Sequence, residues 1–138
     1  MPANTQFSIA VHMMAGLGFG PTAEATSTRL AGSVNTSPSF VRRTLAKLSK
    51  AKLVDTTMGK NGSCALARDP KEISLLDIYR AVDAPKAFAI HEYPEQKSCP
   101  VSCKIRSAMD NVLNKTQNSF EASLAEMTLA DVIGDLKH

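Results

Sequence analysis

Apolar residues recur at helical spacing along most of the chain, and in one short stretch the period drops to two. The first run is Phe7, Ala10, Val11, Met14, Ala15 and Leu17, and Gly16, Gly18, Gly20 and Pro21 are expected to end the helix it predicts. A second short helix is predicted from Ser27 to Ser33, with Leu30, Ala31 and Val34 as its buried side and either Ser27 or Thr26 as its cap. In the third, Ser37 is a good N-cap and Pro38 suits the first helical position, so a helix is expected from Pro38 to about Lys50 with Val41, Leu45, Leu48 and Ala51 as its stripe. Leu53 to Thr57 then alternates as a strand, Gly59-Lys60-Asn61-Gly62 turns, and Ser63 to Ala67 returns. A fourth helix spans Ser74 to Val82, and residues 84–98 read as loop.

From Pro100 to Glu126 no further proline or glycine occurs, and Val101, Ile105, Ala108, Met109, Val112, Leu113, Phe120, Leu124 and Met127 step by threes and fours. This predicts a helix about 40 Å long at the standard rise. Thr128 and Asp131 form a capping pair that opens a last short helix. The fold class is therefore mainly α with a small β-hairpin: a winged helix-turn-helix domain at 1–82, a sensor or effector loop at 83–99, and a dimerisation helix with a short C-terminal helix at 100–138. A helix so long offers more apolar stripe than one small domain covers. Pairing with a second copy through residues 100–127 is the expected use, and folding back on its own domain is the alternative.

Composition changes this picture in two ways. The 138 residues carry a net +3, but the balance is uneven. Residues 1–68 hold eight basic side chains against two acidic, a net +6, whereas 69–138 hold eight against eleven, a net −3. The first part suits a polyanion and the second an ordinary solvated surface. Aromatics are only 5% and tryptophan is absent, which disfavours readers of single-stranded nucleic acid, whose bases need stacking platforms. No segment reads as a signal peptide or membrane span, and the odd count of three cysteines fits a reducing cytoplasm rather than a disulfide scaffold.

The third helix carries the clearest chemistry. Ser37, Ser39, Arg42, Arg43 and Lys47 lie opposite its apolar stripe, beside Phe40. Such a helix fits the major groove of B-DNA, where arginine bonds guanine bidentately and hydroxyls and backbone N–H groups hold phosphates. Ser27 and Arg29 of the preceding helix and Lys60 and Asn61 of the wing complete the candidate DNA-binding set. A merely solvated basic face is the competing account, weakened here by the flanking helix-turn and wing. Cys99 precedes Pro100, which puts it at a helix N-cap, where the dipole and the neighbouring Lys97, Lys104 and Arg106 favour thiolate. Cys99 and Cys103 are thus candidate redox residues. Helical residues four apart hold their Cβ atoms about 5–6 Å apart, against about 3.5–4.5 Å in a disulfide. An intrachain bridge needs a distorted first turn, pairing with a second copy does not, and simple packing under a loop is the bland alternative. Phe88, Ile90, His91 and Tyr93 form an aromatic loop able to line an effector pocket or to cover the core. His12 reads as an ordinary helix residue and the methionines as packing.

Leu30-Ala-Gly-Ser-Val-Asn-Thr-Ser-Pro-Ser-Phe-Val-Arg-Arg-Thr-Leu, then Leu48 to Val54, Ile73-Ser-Leu-Leu-Asp-Ile-Tyr-Arg-Ala-Val-Asp, and Cys99-Pro100-Val101 together resemble the Rrf2 family of bacterial transcription regulators. The resemblance implies a homodimeric DNA-binding repressor of a pseudo-palindromic operator. It places the third helix in the major groove, the wing on the minor groove or backbone, and the long helix at the dimer interface. Two departures stand out. The wing, Met58-Gly-Lys-Asn-Gly-Ser-Cys64, lacks the family's arginine, and the loop before the long helix has two cysteines where iron-sulfur members have three. A cluster needs four ligands; His91 is a candidate third and no fourth stands out. The expected protein is therefore a cytoplasmic regulator that has no cofactor, metal or enzymatic activity and responds to an oxidant or a small molecule. An iron-sulfur sensor, a thiol-redox enzyme using Cys99 and Cys103, and a winged helix that binds protein rather than DNA are the alternatives.

Overall fold

The computed structural model describes residues 4–19, 26–56 and 64–137. Its elements run α1 Gln6–Phe19, α2 Ser27–Val34, α3 Pro38–Lys50, β1 Val54–Thr56, β2 Cys64–Leu66, a 3-10 turn Pro70–Glu72, α4 Leu75–Ala81, α5 Pro100–Glu126 and α6 Leu129–Leu136. The chain divides into two compact units. One takes the chain to Ala84 and resumes at Leu124; the other is Pro85–Ser123.

In the first unit, α1 runs through Gly16 and Gly18, two of the four residues expected to end it, and ends at Phe19, immediately before the other two, Gly20 and Pro21. Gly18 is there for closeness: a Cβ on it would lie 2.7 Å from Ile133 Cδ1 of α6 and 3.0 Å from Leu66 Cδ1 of β2. Local conformational freedom, the basis for expecting a break, gave way to tertiary packing. Thr26 rather than Ser27 caps α2, its side chain accepting from the Arg29 N–H at 3.2 Å. Asn35 ends the helix in the left-handed region at φ 65°, and the N–H groups of Asn35 and Thr36 both return to the Ala31 carbonyl. Ser37 then caps α3 through the Phe40 N–H at 3.2 Å, with Pro38 at the first helical position.

The two strands pair antiparallel with Val54 opposite Leu66 and Thr56 opposite Cys64. The turn that was expected to join them lies outside the described residues, as do Lys60 and Asn61. The 3-10 turn was not foreseen, although Asp69 before Pro70 carries a local signal: its carboxylate accepts from the Lys71 N–H at 2.9 Å. α4 and α6 each open on a complete capping box, Ser74 with Asp77 and Thr128 with Asp131. The two starts lie side by side, with Leu75 N–H donating to the Met127 carbonyl and Leu129 N–H to that of Ile73, each at 2.9 Å. The core is built from Met13, Met14 and Leu17 of α1, Val41 and Leu48 of α3, Leu53 and Val54 at the hairpin, Ile73, Ile78 and Val82 around α4, and Leu129. Fully burying each of the large apolar side chains contributes about 1.5–3 kcal/mol. Val34 and Ala51, expected inside, are only half-buried at the edge of this cluster. With α1–α3, the hairpin and α4, the unit is a winged helix-turn-helix fold, to which α6 adds a helix against α1.

The second unit is the loop from Pro85 and α5 as far as Ser123. Gln117 is buried, its Oε1 accepting from the Ala87 N–H at 3.0 Å and its Nε2 donating to Glu121 Oε2 at 3.1 Å. This amide, absent from the expected apolar stripe, ties the start of the loop to the helix. The stripe itself is largely open, with Val101 66% and Val112 51% exposed.

Candidate nucleic-acid interface

Helical phase divides α3 into two faces. Val41, Thr44, Leu45 and Leu48 are buried, whereas Ser39, Arg42 and Arg43 are exposed on the opposite side. Thr44 is accommodated because its hydroxyl donates to the Phe40 carbonyl at 3.0 Å. On the outer face Arg42 donates to Ser39 Oγ at 3.4 Å, and the Arg43 guanidinium lies 5.8 Å from the Phe40 ring centroid. These contacts support the two side chains without neutralising them, and α3 contains no acidic residue. Ser37 is exposed, and its oxygen is occupied by the cap while its hydroxyl hydrogen remains a donor. Lys47 is half-buried at the side of the face. The same phase adds Ala46 and Lys50, both exposed, which were missed from the sequence even though the spacing i, i+4, i+8 from Arg42 supplies them.

On α2, Ser27 is half-buried and Arg29 exposed, both in the first turn. The structure thus gathers Ser37, Ser39, Phe40, Arg42, Arg43 and Lys47 on one helix, with α2 joined to it through the Asn35 turn. Arg68, counted among the basic residues of the reading half, is engaged elsewhere: its guanidinium meets the Ala51 carbonyl at 3.5 Å and Asp77 Oδ2 at 3.9 Å. It braces the strand exit against α3 and α4.

The cysteines divide between the two units. Cys64 sits buried in β2, where burial pushes its thiol up from the ordinary cysteine range and keeps it neutral. Cys99, half-buried, stands immediately before α5 and acts as its cap, with the Ser102 N–H donating to its sulfur at 3.4 Å. Cys103 is exposed, its thiol 3.5 Å from the Gln96 carbonyl and 3.9 Å from that of Lys97. The loop closes on this first turn through Tyr93, whose hydroxyl donates to the Ser102 carbonyl at 2.8 Å, and through Gln96 N–H, which donates to Ser102 Oγ at 2.9 Å. His91 stacks on the Tyr93 ring at 4.9 Å, and the Arg106 guanidinium lies 5.0 Å from that ring's centroid. The aromatic loop is therefore split. Phe88 and Ile90 line a cavity of about 270 Å³ with Lys86, Asp110 and Gln117, and His91 and Tyr93 are not in that lining. Among the described residues no three His, Cys, Asp or Glu side chains come together as metal ligands.

No described helix is long and apolar enough to cross a membrane. Residues 3–135 match the Rrf2 family model, described as iron-dependent transcriptional regulators. YwnA of Bacillus subtilis strain 168, described as an HTH-type transcriptional regulator, is 38% identical over 96% of this chain and 98% of its own length. A crystal structure of a protein described as DNA-binding superposes with a TM-score of 0.75 at 34% identity, covering 93% of this chain and 98% of that one. A transcriptional regulator from Lactobacillus plantarum superposes with a TM-score of 0.82 at 26% identity, over 97% of this chain and 91% of that one. These relatives are regulators rather than enzymes, which sets aside the thiol-redox enzyme. The fold, the exposed basic face of α3 and these matches together make the chain a DNA-binding transcription regulator of the Rrf2 family.

Proposed function

We propose that the chain works as a cytoplasmic homodimeric repressor that reads a pseudo-palindromic duplex site, one α3 in each half-site. Ser27, Arg29, Ser37, Ser39, Phe40, Arg42, Arg43 and Lys47 contact DNA, and Lys60 and Asn61 of the wing reach the backbone or minor groove. The observation that carries this reading is the polarity of α3: Arg42 and Arg43 stand exposed on an acid-free helix whose other face is locked into the core by Val41, Leu45 and Leu48. Two such helices related by a two-fold axis suit half-sites about one DNA turn apart. The open stripe of α5, with Val101 and Val112 exposed, supports pairing through residues 100–127.

Fluorescence anisotropy against duplex at several salt concentrations tests the reading. Log affinity should fall linearly with log salt, with a slope of about −0.9 for each phosphate neutralised. Arg42→Ala and Arg43→Ala should each either flatten that slope by about one or weaken specific binding by about 1–3 kcal/mol. An unchanged affinity and slope in the double variant would refute the assignment.

The signal is proposed to be an oxidant or small molecule, sensed without a cluster around Cys99 and Cys103, with His91 nearby in sequence. The capping position of Cys99 and the exposure of Cys103 support reactivity, and a donor set of two cysteines supports the cluster-free form. Protein purified without oxygen should be colourless and free of iron. A visible iron-sulfur absorbance band would establish the iron-sulfur sensor instead.

A further inference from the structure

Adjacent residues of a helix diverge by about 100°, so Arg42 and Arg43 cannot serve the same part of the α3 surface. The buried Val41, Thr44, Leu45 and Leu48 fix the direction of the core. Opposite them Ser39, Arg43 and Ala46, all exposed, make a crest. Arg42 and Lys47 fall roughly 70° to either side of that crest at the ordinary helical pitch. Lys50 shares the crest but stands in the last turn, away from the N-terminal part of a recognition helix that reaches base edges. The Arg43 guanidinium lies 5.8 Å from the Phe40 ring centroid, within the roughly 6 Å of a cation–π contact, which restrains it before any partner arrives. Arg42 donates instead to Ser39 Oγ at 3.4 Å. A helix lying in the major groove turns its crest to the base edges and its flanks to the two phosphate backbones. α3 contains no Asn or Gln to pair with adenine and no Asp or Glu to accept from cytosine. The N-terminal crest therefore offers Ser39, whose hydroxyl suits either kind of edge, and Arg43, whose fork fits the O6 and N7 acceptors of guanine.

We propose that Arg43 is the specificity-determining residue of α3 and takes one guanine in each half-site, whereas Arg42 and Lys47 hold phosphates at the two edges of the groove. Phe40 is the positioning residue for Arg43. The assignment rests on the DNA-binding reading above and adds to it which base is read and by which side chain.

Selection from a random-sequence duplex pool, followed by anisotropy on the enriched duplex at several salt concentrations, tests this division of roles. The wild type should enrich a two-fold symmetric site with one dominant G·C pair in each half. Exchanging that pair for A·T should weaken binding about 10–100-fold. Replacing its guanine by 7-deazaguanine, which lacks the N7 acceptor, should weaken the wild type and leave Arg43→Ala unaffected. Arg43→Ala should bind enriched and unselected duplexes alike while keeping the wild-type salt slope. Arg42→Ala and Lys47→Ala should keep the G·C preference and each flatten the slope by about 0.9. Phe40→Leu should lower the preference severalfold and Phe40→Tyr, which retains the ring, should restore it; an equal loss in both would remove Phe40 from its positioning role. A G·C preference that survives in Arg43→Ala, or that vanishes in Arg42→Ala, would overturn the assignment. So would a wild-type site without an enriched guanine, or one indifferent to 7-deazaguanine. In each of those outcomes salt-dependent duplex binding persists and the DNA-binding reading stands. Wild-type protein with no salt-dependent binding to the pool would refute that reading, and this assignment with it.

Discussion

Gly16 and Gly18 lie two positions apart in α1, and the same substitution at each should have opposite signs. At Gly16 an added methyl has room, with Leu30 at 3.6 Å, so Gly16→Ala should gain part of the roughly 1 kcal/mol by which alanine exceeds glycine in a helix. At Gly18 the methyl meets Ile133 at 2.7 Å and Leu66 at 3.0 Å from two different elements. Ile133 is 6% exposed, so its terminal methyl cannot swing into solvent, and overpacking of this kind costs about 1–3 kcal/mol. Gly18→Ala should be net destabilising by about 1 kcal/mol. Urea denaturation of the two variants checks the pair, and equal effects would show that the close approach to α6 is not what fixes Gly18. Nothing near Gly18 in the sequence announces this constraint, because its partner Ile133 lies close to the far end of the chain. The caps Ser37, Thr128 and Asp131 were legible for the opposite reason: each satisfies a backbone donor within three residues of itself.

At the scale of elements, the α2–α3 turn is the joint on which the reading head depends. It is short because Asn35 takes φ 65° and its own N–H and that of Thr36 both bond the Ala31 carbonyl. Asparagine tolerates this conformation where alanine does not, the left-handed region costing an ordinary residue about 1–2 kcal/mol. Asn35→Ala should therefore lower stability by about 1 kcal/mol, and Asn35→Gly should be close to neutral. Differential scanning calorimetry reads the stability, and anisotropy should show weaker duplex binding only for the alanine variant. Loss of affinity in Asn35→Gly with unchanged stability would point to a direct DNA contact by the amide. The helices α2 and α3 were predicted almost to the residue because their caps, proline and stripe agree. The exposed face of α3 was read correctly from phase but incompletely, since Lys50 lies a full two turns beyond Arg42. The 3-10 turn at Pro70 and the buried Gln117 carry weaker signals, a single Asx-Pro pair and a polar residue inside an apolar period.

For the molecule as a whole, the modest net +3 conceals a reading half at +6, and affinity for an operator depends on how many such halves act together. A substitution at Val112 tests this at small cost to the chain itself, the side chain being 51% exposed on α5. A single Val112→Glu exchange should leave the melting temperature of the isolated chain nearly unchanged, because surface substitutions away from packed features usually fall within about 0.5 kcal/mol. In a paired α5 stripe the same carboxylate is buried against apolar surface without a partner, a state that costs several kcal/mol. Sedimentation at micromolar concentration should show the wild type as a dimer and Val112→Glu as a monomer. Binding to a full pseudo-palindrome should then drop by about 10²–10⁴-fold, the avidity expected from linking two reading heads. Binding to a single half-site should stay the same, since Arg42 and Arg43 are untouched. If the variant remains dimeric with full operator affinity, the α5 stripe is not the interface, and coupling between the two reading heads must run through another surface.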